Sequence, residues 1–107
     1  VVVMKYATGR LGIGVGGARI TGSVARQKVA AGAVLVDVRS KAEFESGALP
    51  GALHIPVDQI AQRVHELPTD KDVIVYCASG GRSARAQAVL EKAGLIQVFD
   101  LGPMSAW

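Results

Sequence analysis

Between Val73 and Ala93 the sequence reads VIVYCASGGRSARAQAVLEKA. Val73 to Tyr76 is a short, continuous apolar run, the pattern of a strand. Gly80 and Gly81 break it with a turn, and the following segment places Ala86, Val89, Leu90 and Ala93 on one helical face before Gly94 closes it. A strand feeding a helix is one unit of an alternating pattern, and such alternation along a chain gives a layered α/β arrangement.

The rest of the chain supplies the missing elements. Thr21 or Ser23 caps a predicted helix running to about Ala31, with Gly32 as its stop. Val34 to Val38 reads as a buried strand. Ser40 and Glu43 form an S-x-x-E capping box at the head of a short helix, Lys41 to Ser46, ended by Gly47. Pro50 and Gly51 mark a turn before a short strand, Leu53 to Ile55, and Pro56 with Asp58 opens a predicted helix to about Glu66. The strand of the opening motif is expected over Asp72 to Tyr76, and a last one over Gln97 to Leu101. Strands alternate with helices, so the fold class expected is α/β: a central, mostly parallel sheet with helices on both faces and its site beyond the carboxyl ends of the strands.

Residues 1–20 differ from this in kind. They hold Gly9, Gly12, Gly14, Gly16 and Gly17 and form a basic, glycine-rich leader, expected to be flexible or carried over from expression; the folded domain is assigned to residues 21–107. Up to Val36 the chain carries Lys5, Arg10, Arg19, Arg26 and Lys28 and no acid, whereas the remainder is net negative. Tyr6 is the only aromatic near this basic end, too little stacking surface for nucleic-acid binding. Gly12-x-Gly14-x-x-Gly17, with Asp37 about twenty residues on, matches a dinucleotide fingerprint in spacing. The glycines, however, begin well beyond the nearest possible strand, Val1 to Tyr6, and the remaining chain is short for a dinucleotide fold. No apolar run approaches the roughly 20 residues of a membrane span, and the expected setting is a cytoplasmic monomer.

Cys77 is the only cysteine, so it has no internal disulfide partner, and only His54 and His65 could join it on a metal. It lies where strand meets loop. Ala78, Ser79, Gly80, Gly81 and Arg82 then run into a helix N-terminus, whose N–H groups and dipole face back toward the sulfur. Such surroundings lower a thiol pKa from about 8.5 into the range of roughly 3.5 to 7.5, making a nucleophile and an anion cradle together. Ser83 and Arg85 add a hydroxyl and a second cation in the first turns, Arg85 reading as a solvated charge. No histidine is placed to act as a base: His54 reads as structural and His65 as an exposed helix residue.

These residues resemble the rhodanese-like superfamily, in its single-domain form. The matching segments are Leu35 to Arg39; Glu43-Phe44 with Gly47; Pro50 to Ala52 with Ile55-Pro56; Val75 to Ser83; and Gly102 to Trp107. The chain departs from the family pattern at Ala48, where histidine is frequent, and at Gly102-Pro103, where two glycines are frequent. The resemblance implies a sulfurtransferase in which Cys77 carries sulfane sulfur as a persulfide. Ala78, Ser79, Gly80, Gly81, Arg82 and Ser83 would bind an anionic donor such as thiosulfate, with Asp37 and Arg39 as supports. Cyanide, a small thiol or a sulfur-carrying protein would be the acceptor, with no cofactor or metal required. A phosphatase or arsenate reductase of related fold is the enzymatic alternative, although tyrosine-type phosphatases resemble one another in a loop one residue longer than the four between Cys77 and Arg82. A non-catalytic rhodanese-like binding module is the other; such modules commonly lack the cysteine.

Overall fold

The computed structural model describes residues 19–107. The glycine fingerprint at Gly12 to Gly17 and the possible strand Val1 to Tyr6 lie outside the described residues. The chain runs α1 (Gly22–Ala30), β1 (Val34–Asp37), α2 (Lys41–Glu45), β2 (Leu53–His54), β3 (Val73–Cys77), α3 (Gly81–Lys92) and β4 (Val98–Pro103). Short 3-10 turns lie at Val57–Gln59, Val64–Glu66 and Met104–Ala106. The four strands form one parallel sheet in the order β2-β1-β3-β4, as the alternation of elements predicts.

The two faces of β3 divide the core by the period-two alternation of a strand. Val73, Val75 and Cys77 pack with Val36, Val38, Ile55, Ala86 and Leu90 on the α3 side. Ile74 and Tyr76 pack with Leu35, Ala25 and Leu101 on the α1 side, where Val29, Phe99 and Trp107 complete the layer. The sheet is therefore covered on both faces, and all five residues of β3 are buried.

Local signals account for most boundaries. The Thr21 hydroxyl accepts the Val24 N–H at 3.2 Å and starts α1. Ser40 and Glu43 close their capping box over α2, with the Glu43 N–H on the Ser40 hydroxyl at 3.2 Å and the Ser40 N–H on Glu43 Oε1 at 3.0 Å.

Three expectations are corrected. The segment from Pro56 to Glu66 is two 3-10 turns rather than one helix: Pro56 offers no side-chain cap, and the β-branched Val57 and Val64 add no compensating propensity. Ile60 and Leu67 still reach the core from it. On α3, Ala93 is exposed, and the buried stripe is Ser83, Ala86, Gln87 and Leu90. Gln87 is tolerated there because its Nε2 donates to the Val98 carbonyl at 3.1 Å. Finally, β4 runs on to Pro103 through a bulge: Val75 pairs with Asp100 but Tyr76 with Gly102, leaving Leu101 as the extra residue. The Asp100 side chain steadies the bulge by accepting the Gly102 N–H at 2.7 Å.

Candidate active site

Cys77 is the last residue of β3 and is fully buried. Its Sγ accepts the Gly80 N–H at 2.9 Å and the Ser83 N–H at 3.3 Å, and the Ser83 hydroxyl oxygen lies 3.5 Å away. Burial pushes the thiol pKa up. The Ser83 hydroxyl and the N–H groups of Ser83, Gly80 and Ser79 outweigh that cost and hold it below the ordinary value. The loop thus favours a thiolate through hydrogen bonds from loop and helix rather than through a base.

Gly80 makes this possible. Its φ of +109° lies in the left-handed region, which lets the chain curl tightly enough to aim its N–H at the sulfur while entering α3. Ala78, Ser79 and Gly81 lie exposed along the outside of the loop.

Arg82 is engaged elsewhere. Its guanidinium forks onto Glu43, with Nη1 donating to Oε1 at 2.6 Å and Nη2 to Oε2 at 3.0 Å. Arg82 first, then the Ser40 N–H and hydroxyl, hold the Glu43 carboxyl far below the usual range. Sequence reasoning read Glu43 as a helix cap and as part of a family-matching segment, with no role at the thiol loop. Its second role was detectable only as an acid in a segment that the fold brings to the rim of the thiol loop.

Asp37 and Arg39 form a buried network on the opposite side of the sheet from the sulfur. Asp37 accepts the Arg39 Nη2 at 2.7 Å and the Tyr76 hydroxyl at 2.7 Å. The Tyr76 oxygen accepts the Leu49 N–H at 3.0 Å, and Arg39 Nη2 donates to the Gly47 carbonyl at 2.6 Å. These contacts pin residues 47–49, the segment that follows α2. Burial raises the Asp37 pKa, but Arg39 and Tyr76 overcome it and leave the carboxyl below its ordinary value. His54 is structural: its Nε2 meets the Arg39 carbonyl at 2.7 Å, and its ring stacks on Phe44 at a centroid distance of 4.5 Å. His65 is exposed, as expected, although its element is a 3-10 turn.

Arg19 reaches the site unannounced. It bridges to Asp100 alongside β4, and its guanidinium packs against Gly80 and Gly102, where any side chain would collide with it. Only the pairing of the segment before α1 with β4 brings it there. Among the described residues no group of three His, Cys, Asp or Glu side chains could hold a metal ion, and no helix is long and apolar enough to cross a membrane.

A parallel α/β sheet ending in a cysteine loop that hydrogen-bonds its own sulfur defines a class of thiol-bearing α/β domains. Within that class the chain belongs to the family of rhodanese-like domains, whose model matches residues 21–107. It is 44% identical over 75 residues to a sulfurtransferase of Allochromatium vinosum, covering 69% of this chain and 70% of that one. It is 38% identical over 77 residues to the thiosulfate sulfurtransferase GlpE of Pseudomonas syringae pv. syringae, covering 71% of this chain and 73% of that one. Its fold superposes on the human single domain sulfurtransferase TSTD1 with a TM-score of 0.74 at 23% identity, over 83% of this chain and 90% of that one.

Proposed function

We propose that the chain is a sulfurtransferase that carries sulfane sulfur on Cys77. The observation that carries the reading is the sulfur's own coordination: a buried cysteine whose Sγ receives the Gly80 and Ser83 N–H groups, with its thiol pKa lowered. The sulfurtransferase relatives named above support it.

In the first half-reaction the Cys77 thiolate attacks the outer sulfur of a donor such as thiosulfate. The new S–S bond forms as the donor's S–S bond breaks, and sulfite leaves with the electron pair. The terminal sulfur of the persulfide inherits the negative charge, so the loop that favoured the thiolate is suited to hold it as well. In the second half-reaction cyanide or a thiolate attacks that terminal sulfur and returns Cys77 to the thiolate. No proton need be shuttled to the leaving group, which fits a site without a histidine base. A phosphatase reading fits less well: the arginine that would clamp a phosphoryl group is forked onto Glu43. The single free thiol suits a reducing compartment, and we place the reaction in the cytoplasm.

Intact-mass measurement after incubation with thiosulfate tests the reading. A gain of one sulfur on the wild type, absent in Cys77→Ala, is expected. No gain with thiosulfate, a thiosulfonate or an organic persulfide would overturn it.

A further inference from the structure

The cations described at the carboxyl ends of the strands are matched by acids. Arg39 is sealed against Asp37 at 2.7 Å, and Arg19 Nε lies 3.7 Å from Asp100 Oδ2. Both of those acids are buried within the fold. Arg82 and Glu43 differ in the acid: Arg19 is itself half-exposed, but its partner Asp100 is buried, whereas Glu43 remains 35% exposed at the rim of the thiol loop. Arg85, further along α3, is exposed and has no acid partner among the described residues.

The Glu43 carboxylate is also fixed in place. Besides both arms of the Arg82 fork, its Oε1 accepts the Ser40 N–H at 3.0 Å and the Ser40 hydroxyl at 2.9 Å. An arginine serving chiefly to bind a dianion would keep its fork open toward solvent. Here the fork is filled by a carboxylate that the capping box holds still, and the pair itself offers an arriving donor little net positive charge.

We infer that Glu43 selects the sulfur donor by charge: paired fork to carboxylate with Arg82, it biases the site against dianionic donors and toward monoanionic carriers of sulfane sulfur. The inference rests on the sulfurtransferase reading and makes a quantitative demand. The Coulomb energy between a fixed charge and a donor is proportional to the donor's charge. Removing the Glu43 charge must therefore improve a dianion by the square of the factor by which it improves a monoanion bound at the same place.

Thiosulfate and benzenethiosulfonate make the comparison. Both give up the same kind of outer sulfur to a thiolate, one releasing sulfite and the other benzenesulfinate, and they carry two negative charges and one. Glu43→Gln removes the charge while keeping an acceptor that suits the third position of the capping box. Its kcat/KM is expected to rise about threefold for benzenethiosulfonate and about tenfold for thiosulfate, as the proportionality requires. Arg82→Gln reverses the sign and leaves Glu43 unpaired, so thiosulfate should lose by the square of the benzenethiosulfonate loss; Glu43→Ala, which removes the same acidic charge, carries the test if Glu43→Gln fails to fold. Equal factors for the two donors, or an unchanged thiosulfate rate, would overturn the proposal, since a purely structural role moves both donors together.

If neither these donors nor an organic persulfide loads sulfur on the wild type, the sulfurtransferase reading falls and the charge argument is still tested. Protection of Cys77 from iodoacetamide by sulfate and by methanesulfonate should improve in Glu43→Gln by the same squared relation. Equal improvement, or none, would overturn it.

Discussion

Ser83 addresses Cys77 twice, donating its backbone N–H to Sγ at 3.3 Å and holding its hydroxyl oxygen 3.5 Å from the same sulfur. The hydroxyl also donates to the Gly80 carbonyl at 3.1 Å. When Cys77 ionises, the hydroxyl proton can turn from that carbonyl to the sulfur. Ser83→Ala removes this donor and leaves the N–H groups of Ser79, Gly80 and Ser83 in place. The pH midpoint for iodoacetamide alkylation should move up toward that of an ordinary thiol without reaching it. Sulfur loading from thiosulfate near neutral pH should fall by roughly tenfold, the worth of one hydrogen bond to a charged group at ~1.5 kcal/mol. An unmoved midpoint would show that the backbone alone sets the thiolate.

Tyr76 yields a prediction in alkaline solution. It is fully buried, and its pKa is pushed up to about 12 by burial, with the hydrogen bond to Asp37 adding to the shift. A folded-state value above the unfolded one of about 10 means that this stabilisation is complete below pH ~10 and is lost as pH rises through about 12. Denaturant titrations should show the wild type losing about 2–3 kcal/mol relative to Tyr76→Phe across that window. Near neutral pH the hydrogen bonds of the hydroxyl favour the wild type. Tyr76→Phe should be less stable by about 1–3 kcal/mol, because the buried Leu49 N–H loses its acceptor. Parallel curves for the two proteins at high pH would contradict the network.

How far the sequence discloses this molecule follows from the range of each interaction. α1, α2 and the thiol loop are set by signals within a few residues, the Thr21 cap, the Ser40–Glu43 box and the turn at Gly80, and each is legible. Pro56 to Glu66 misleads because Pro56 and Asp58 read as a helix start, while Pro56 gives the segment no side-chain cap. The core face of α3 misleads differently: Ser83 and Gln87 are polar, and only the sulfur and the Val98 carbonyl across the fold explain their burial. Glu43 and Arg82 are 39 residues apart, and Arg19 reaches Gly80 from before the first helix. No local pattern encodes those meetings.

Gly80→Ala tests the curl of the loop. The φ of +109° costs an L side chain about 1–2 kcal/mol, and the new Cβ would also meet the Arg19 guanidinium. The guanidinium ends a flexible side chain and can swing aside, whereas the backbone cannot escape its own dihedral. Thermal melting should therefore show a loss of similar size in Gly80→Ala measured on the wild type and on an Arg19→Ala background. In both, displacement of the N–H now 2.9 Å from Sγ should raise the midpoint of thiol alkylation. Full recovery of stability on the Arg19→Ala background would mean that collision, not conformation, forbids a side chain here.

Gly22 gives the opposite lesson, because its backbone is ordinary and its surroundings are not. Glycine at the start of α1 loses more chain entropy on folding than alanine, and at an open helical position its replacement by alanine gains roughly 0.5–1 kcal/mol. Gly22 is buried, however, and a Cβ there would run into the backbone carbonyl of Ala106 and the backbone of Trp107. Arg26, one turn along the same helix, donates to the Trp107 carbonyl oxygen and ties that segment to α1. Backbone held from both sides cannot yield as a flexible side chain does, so overpacking should outweigh the propensity gain and give a net loss of about 1–3 kcal/mol. Ser23→Ala, at the adjacent exposed position, is the control and should stay within about 0.5 kcal/mol of the wild type. Trp107 packs in the same layer as Ala25, Leu35 and Leu101, so the tryptophan emission of Gly22→Ala should shift to the red as that segment is pushed off the helix. A stabilised Gly22→Ala with unchanged emission would mean that the segment after β4 is not held against α1.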